Sequence, residues 1–194
     1  MTKIFFDTEF TGLHQGTTLI SLGMVSEDGR EFYAEFTDYQ EKQVNDWIRE
    51  NVIKNLICGE DRGVLSVGNP VIVRGHSYEI KPHLMSWLSQ FEDIEFWSDC
   101  LAFDWVLLNQ LIATYDDGYP KLPENIASYA PFDIVTLFHE LGIGFDVNRE
   151  EFAGLEHDPA LKHNAAWDAK VIRACYGRLS AQLALKPDRE TEAN

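Results

Sequence analysis

Three strand-length segments crowd into the first 36 residues, and that density limits the architecture more than any other feature of the chain. Residues 3–9, 18–26 and 30–36 are rich in β-branched and aromatic side chains, and Glu27-Asp28-Gly29 supplies a hairpin turn between the second and third. Joined so closely, they are expected to pair as an antiparallel meander. Beyond them the apolar period changes. Val44, Trp47, Ile48, Val52 and Leu56 recur at helical spacing, which predicts a helix over residues 43–56. Further strands are predicted at 71–74 and 94–97, and helices at 79–91, 105–115 and 136–141, with Gly142 ending the last of these. Phe132-Asp133-Ile134 is a short apolar run, and residues 164–185 resume a strong helical period. Pro120 and Pro123 punctuate a loop, and residues 144–162 are polar and mixed. A meander followed by strands alternating with helices predicts an α/β layer fold on a mixed sheet.

A chain of 194 residues, 45% of them hydrophobic, can bury one substantial core. One domain is therefore expected over residues 1–185, with residues 186–194, apolar only at Ala193, fraying as a tail. The opening residues contain neither a cleavable apolar stretch nor a span for a bilayer, so the expectation is a cytoplasmic protein with no membrane partner. Cys58, Cys100 and Cys175 sit singly, which fits small buried thiols better than a disulfide framework or zinc ligands. The net charge of −16 disfavours a broad basic surface for long duplex DNA, so any contact with nucleic acid should be short. Carboxylates gathered around divalent cations would account for part of that charge.

Several acids stand where apolar residues belong. Asp7 and Glu9 are two apart in a strand and share one face, while Ile4, Phe6 and Thr8 share the other. Like charges held that close are unfavourable unless a proton or a cation lies between them. Asp168 precedes Ile172, Cys175 and Leu179 by four, seven and eleven residues and so lies on the apolar stripe of the last helix, where a charge needs a partner or a metal. Asp104 shares a side with Leu107, Leu108 and Leu111; it reads equally as a helix N-cap or as a carboxylate facing the core. His163 lies just before the last helix, within reach of the same place. Glu156-His157-Asp158 also suggests a metal site, but its spacing to Asp168 does not fit, and a mobile loop is expected there; the other histidines are expected to be structural or superficial.

Together these residues resemble a known family. Phe6-Asp7-Thr8-Glu9-Phe10-Thr11-Gly12-Leu13 is similar to the D-x-E-x-T-G-L opening of the DEDDh 3′→5′ exonucleases, which include oligoribonuclease, RNase T and proofreading subunits. Leu19-Ile20-Ser21-Leu22-Gly23-Met24-Val25 resembles that family's second strand, Asp104 its second motif, and His163-Asn164-Ala165-Ala166-Trp167-Asp168 its third. The tyrosine-using branch would place its tyrosine at position 164, which is Asn164, so the histidine branch fits. Trp47 with Asn51-Val52 is similar to small bacterial and phage exoribonucleases, which favours RNA.

The resemblance, from residue 4 to about residue 179, implies an RNase H-like fold with a mixed five-stranded central sheet flanked by helices. It implies two Mg²⁺ or Mn²⁺ ions held by Asp7, Glu9, Asp104 and Asp168, with His163 as the catalytic base, and hydrolysis of single-stranded nucleic acid from its 3′ end to nucleoside 5′-monophosphates. It implies substrate contacts at Phe10, Thr11, Gly12 and Leu13, a minor part for Asp133, and a homodimer. Two rival readings stay open: the same chemistry on DNA, and an RNase H-like interaction module without catalysis. A third makes Asp104 a cap, pairs Asp168 with a buried base and leaves His163 without a role.

Overall fold

The predicted meander is the centre of the sheet. In the computed structural model, which describes residues 1–116, 119–156 and 158–186, β1 (Thr2–Phe10), β2 (Leu19–Ser26) and β3 (Glu31–Phe36) pair antiparallel in that order. Along β1 both faces are covered: Ile4 and Phe6 enter one apolar cluster and Phe5 enters the other, which is why the strand reads as nearly continuous hydrophobic sequence before its acids.

The chain continues through α1 (Asp46–Asn51), β4 (Gly63–Val67), β5 (Val71–Gly75), α2 (Ser77–Leu88), β6 (Ile94–Ser98) and α3 (Leu101–Ile112). It then runs through β7 (Thr114–Asp116), β8 (Tyr119–Lys121), β9 (Phe132–Asp133), α4 (Ile134–Glu140), α5 (Arg149–Ala153) and α6 (Ala165–Ala184). The mixed sheet has seven strands in the order β4-β5-β3-β2-β1-β6-β9, and β7 pairs with β8 apart from it. The expectation of five strands is corrected for a physical reason. β4 is an edge strand exposed along most of its length, so it has no buried face to give a period of two, and β9 is two residues long.

Helix ends moved as well. The single helix expected over 43–56 is broken into α1 between two 3₁₀ turns, Glu41–Gln43 and Ile53–Asn55, with Asn45 capping α1 through its side chain. α3 starts four residues earlier than expected, and the polar stretch 144–162 contains α5. α2 and α3 bury Ile80, Leu84, Leu108 and Ile112 against Ile4, Phe6 and Leu22 on one face of the sheet. α4, α5 and α6 bury Phe138, Ala153, Ile172, Cys175 and Leu179 against Phe5 and Val25 on the other. Each large side chain so buried contributes about 1.5–3 kcal/mol. Cys58 and Cys175 are buried, but Cys100 is exposed at the start of α3, contrary to expectation. Among the described residues no helix is long and apolar enough to cross a membrane. Residues 187–194 of the expected tail and His157 lie outside the described residues.

What positions the site is where two strands part. β1 runs parallel to β6 and pairs with it from Thr2↔Ile94 to Phe5↔Trp97. Asp7 and Glu9 lie past that point and pair only with Gly23 and Ser21 of β2. A crevice outside the carboxyl ends of parallel strands is where open α/β sheets place their sites.

Candidate active site

Asp7 and Glu9 emerge from β1 on the side covered by α6, whose first turn carries Asp168. Gly23, directly opposite Asp7, lets that helix come down onto the sheet: a Cβ there would lie 2.0 Å from the carbonyl oxygen of Ala165. Because the obstructing atom belongs to the backbone, the helix itself would have to lift. Gly23→Ala is therefore expected to destabilise the fold by at least the about 1–3 kcal/mol typical of overpacking, and to carry Asp168 away from Asp7. A thermal melt alongside a metal titration will show both losses; an unchanged melting temperature would contradict this close approach.

Asp104 reaches the crevice from the opposite side, in the first turn of α3, and is fully buried. The N-cap of α3 is Cys100, so the capping reading of Asp104 fails. Its Oδ1 instead accepts the Thr8 hydroxyl at 2.6 Å and the Thr8 N–H at 3.3 Å, and its Oδ2 accepts the Ser98 hydroxyl. These bonds tie the helix to both β1 and β6 where the strands diverge. Asp168 pairs with no buried base, so that reading fails too among the described residues: two carboxylates, Asp7 and Glu9, are its close neighbours.

One oxygen each from Asp7, Glu9 and Asp168 lies within 4.8 Å of the others, and the same holds for Asp7, Asp99 and Asp104. The two triads share Asp7. Its Oδ2 is buried without a hydrogen-bond partner, an orphaned acceptor of the kind a cation satisfies. Oxygen-only triads suit hard divalent ions, so these residues fit a pair of them. Burial is the main force on every one of these acids: it drives Asp7 well above the ordinary carboxylate range, Glu9 to about 9, and Asp104 and Asp168 to about 7 each, with mutual repulsion adding to the shift.

Asp99 was not singled out in the sequence. It directly follows β6, beside Ser98, and the only signal for it is an acid ending an apolar strand. Burial raises its carboxyl too, while Arg149 at 3.3 Å opposes the shift. Arg149 comes from the polar, mixed stretch 144–162, and its guanidinium lies over the Phe138 ring.

His163 closes the crevice from the loop before α6. Its Nδ1 lies 3.8 Å from Glu9 Oε1, and its ring meets exposed Trp47 in a T-shaped contact at 5.1 Å between centroids. Partial burial, with the nearby Lys162 charge, holds its pKa below the ordinary histidine value, so near neutral pH it is an acceptor. Its φ of +58° is left-handed, a conformation costing a non-glycine residue roughly 1–2 kcal/mol.

The remaining expected residues take different positions. Phe10 lines the cleft and stacks on Phe103 at 5.3 Å. The Thr11 hydroxyl is engaged with Thr17, Thr18 and Gln43, and its N–H bonds the Thr18 carbonyl, so it shapes the end of β1. Gly12 follows in that turn, with its N–H on the Thr17 hydroxyl, and Leu13 projects into solvent. Asp133 caps α4 by accepting the Val135 N–H. The cleft that Asp7, Glu9, Asp99, Asp168, His163 and Arg149 line has a volume of about 630 Å³, enough for a nucleotide-sized ligand.

Comparison with known proteins adds to this geometry. The family model described as the Rv2179c-like 3′-5′ exoribonuclease domain matches residues 2–177. Two curated 3′-5′ exoribonucleases of Mycobacterium tuberculosis, Rv2179c and MT2234.1, are each 41% identical over 54 residues, a segment covering 28% of this chain and 32% of theirs. Among solved structures, the zinc-bound E. coli ExoI–ssDNA complex superposes with a TM-score of 0.61 at 13% identity, over 95% of this chain and 41% of that one. E. coli exonuclease I with a dT13 oligonucleotide gives 0.57 at 16% identity, over 94% and 43%. The Neurospora crassa Pan2 catalytic unit gives 0.55 at 16%, over 94% and 27%. At such identities the likeness is one of fold, and the fold is the RNase H-like one that the sequence implied.

Proposed function

The chain belongs to the family of Rv2179c-like 3′-5′ exoribonuclease domains, and on that premise we propose that it hydrolyses single-stranded RNA from the 3′ end, releasing nucleoside 5′-monophosphates. The observation that carries the proposal is the pair of oxygen triads sharing Asp7 beneath the His163 imidazole. Asp7, Glu9, Asp104 and Asp168 would hold two Mg²⁺ or Mn²⁺ ions, with Asp99 within reach of one of them. Bound there, such ions supply charge neutralisation for the phosphodiester and make water more acidic. His163, held neutral and open to the cleft, takes the proton of the attacking water. Thr8 and Ser98 grip Asp104 and keep its carboxylate from rotating, and Phe10, stacked on Phe103, gives the cleft an aromatic wall.

A DNA substrate is the second reading, and what favours it is that two of the similar structures are exonuclease I with single-stranded DNA. One experiment addresses both. Purified protein with Mn²⁺ and 5′-labelled single-stranded RNA is expected to give a ladder shortening from the 3′ end, faster than on DNA of the same sequence. Internal cuts, or no cleavage of either polymer, would refute 3′→5′ exonuclease action; faster digestion of DNA would select the second reading.

A further inference from the structure

The loop carrying His163 is fastened on both sides of that residue to a single side chain and its backbone, and we propose that Asn55 is a positioning residue that holds the imidazole over Glu9. The inference rests on the reading of His163 as the base. A histidine at a φ of +58° stays there only if its surroundings insist on it. That torsion turns about the bond leaving the 162–163 peptide, whose plane is rigid, so whatever grips the Lys162 carbonyl sets the torsion. Asn55 Nδ2 donates to that carbonyl at 2.6 Å. The same amide nitrogen donates its other proton to the Asn51 carbonyl at 2.8 Å, so the side chain has no free proton with which to turn away.

The residue on the other side of His163 is tied to the same place. Asn164 Nδ2 donates to the Asn55 carbonyl at 3.1 Å, while its Oδ1 caps α6 by accepting the N–H groups of Ala166 and Trp167. Asn51 Nδ2 in turn donates to the Trp47 carbonyl at 2.8 Å. Trp47, Asn51 and Asn55, spaced by four, thus form a bonded row along α1 and the turn after it, with the Trp47 ring meeting the imidazole at one end. The row spans more than a hundred residues of sequence to fix one torsion. Without it, His163 is free to relax to negative φ and swing its ring out of the cleft.

The test places Asn55→Ala in the wild-type and His163→Ala backgrounds, with single-stranded RNA and Mn²⁺. In the wild-type background kcat should fall about 10- to 100-fold, the loss typical of a misplaced catalytic group, with KM within about threefold and Mn²⁺ affinity by calorimetry unchanged. In the His163→Ala background the same substitution should cause no further loss, because no imidazole remains to be placed. The ¹H–¹⁵N imidazole resonances of His163 should shift or broaden in Asn55→Ala. Unchanged kcat with unchanged resonances would overturn the proposal, and so would equal fractional losses in both backgrounds, which mark a merely structural residue. Should Asn55→Ala fail to fold, Asn164→Ser keeps a capping oxygen but not the donor to Asn55. It is expected to give the same pattern at smaller amplitude, and no change there would equally overturn the proposal. If His163→Ala alone retains full activity, the reading of His163 as base falls by itself, and the resonances still decide whether Asn55 fixes the ring.

Discussion

Asp104→Asn is expected to lower turnover by roughly three orders of magnitude, since a metal's stabilisation of the transition state is worth several kcal/mol and each 1.4 kcal/mol is tenfold in rate. In the same variant the metal-free fold, at about pH 8, should be at least as stable as the wild type, because a desolvated charge facing other carboxylates is removed. The amide preserves the local bonds. Its Oδ1 still accepts from Thr8, and its Nδ2 donates to the Ser98 hydroxyl, which turns its own proton elsewhere. Asp104→Ala differs, leaving the protons of both buried hydroxyls without their acceptor at about 1–3 kcal/mol of destabilisation. Single-turnover digestion beside melts in EDTA separates the two effects. Activity of Asp104→Asn within tenfold of wild type would remove Asp104 from the machinery.

Opposite trends in activity and stability are the mark of a site assembled against its own electrostatics, and that conflict is what made most of the site readable. Asp7 and Glu9 stood out because two carboxylates two apart share one strand face, and Asp168 because α6 has a strong period, against which an acid on the apolar stripe is conspicuous. Asp104 was ambiguous because the N-cap of α3 is Cys100, whose side chain makes no capping bond, so the helix start went unmarked and the acid looked like its cap. Asp99 lies between a strand and a helix, with no face to violate, and its partner Arg149 is fifty residues away. Asn55 was hidden for a related reason. The apolar spacing over residues 43–56 continues through the break after α1, so the 3₁₀ turn that aims Asn55 at the His163 loop reads as more helix. The sheet centre was legible from its hairpin turn and its β-branched and aromatic segments, and its edges were not, because β4 has no buried face and β9 is too short for a pattern.

Metal removal and pH together give the second large effect. Metal-free protein is expected to become more stable as pH falls from about 9 toward 5, the reverse of ordinary acid destabilisation. The sign follows from the folded-state values: Glu9 at about 9, Asp104 and Asp168 at about 7, and Asp7 well raised, in each case by burial first, with neighbouring carboxylates adding and, at Asp104, hydrogen bonds from Ser98 and Thr8 opposing. Unfolded carboxylates titrate near about 4, so between about 4 and 9 the folded chain holds more protons. Its penalty is complete above about 9 and is relieved as protons return through that window. Asp28 acts oppositely, since hydrogen bonds from Arg30 and Ser26 hold it at about 2, but its contribution is lost only below the ordinary carboxylate value, outside the window. A divalent cation that binds only the folded acids competes with those protons. At a hundredfold excess over Kd it adds about 2.7 kcal/mol, or roughly 5–10 °C for a domain of this size. Calorimetric melts with EDTA and with Mn²⁺ should therefore differ by that much at about pH 8 and converge at about pH 5. A metal-free melting temperature that drops as pH is lowered from about 8 to about 5, or an increment from Mn²⁺ equal at both, would mean that the acids do not share one desolvated cluster.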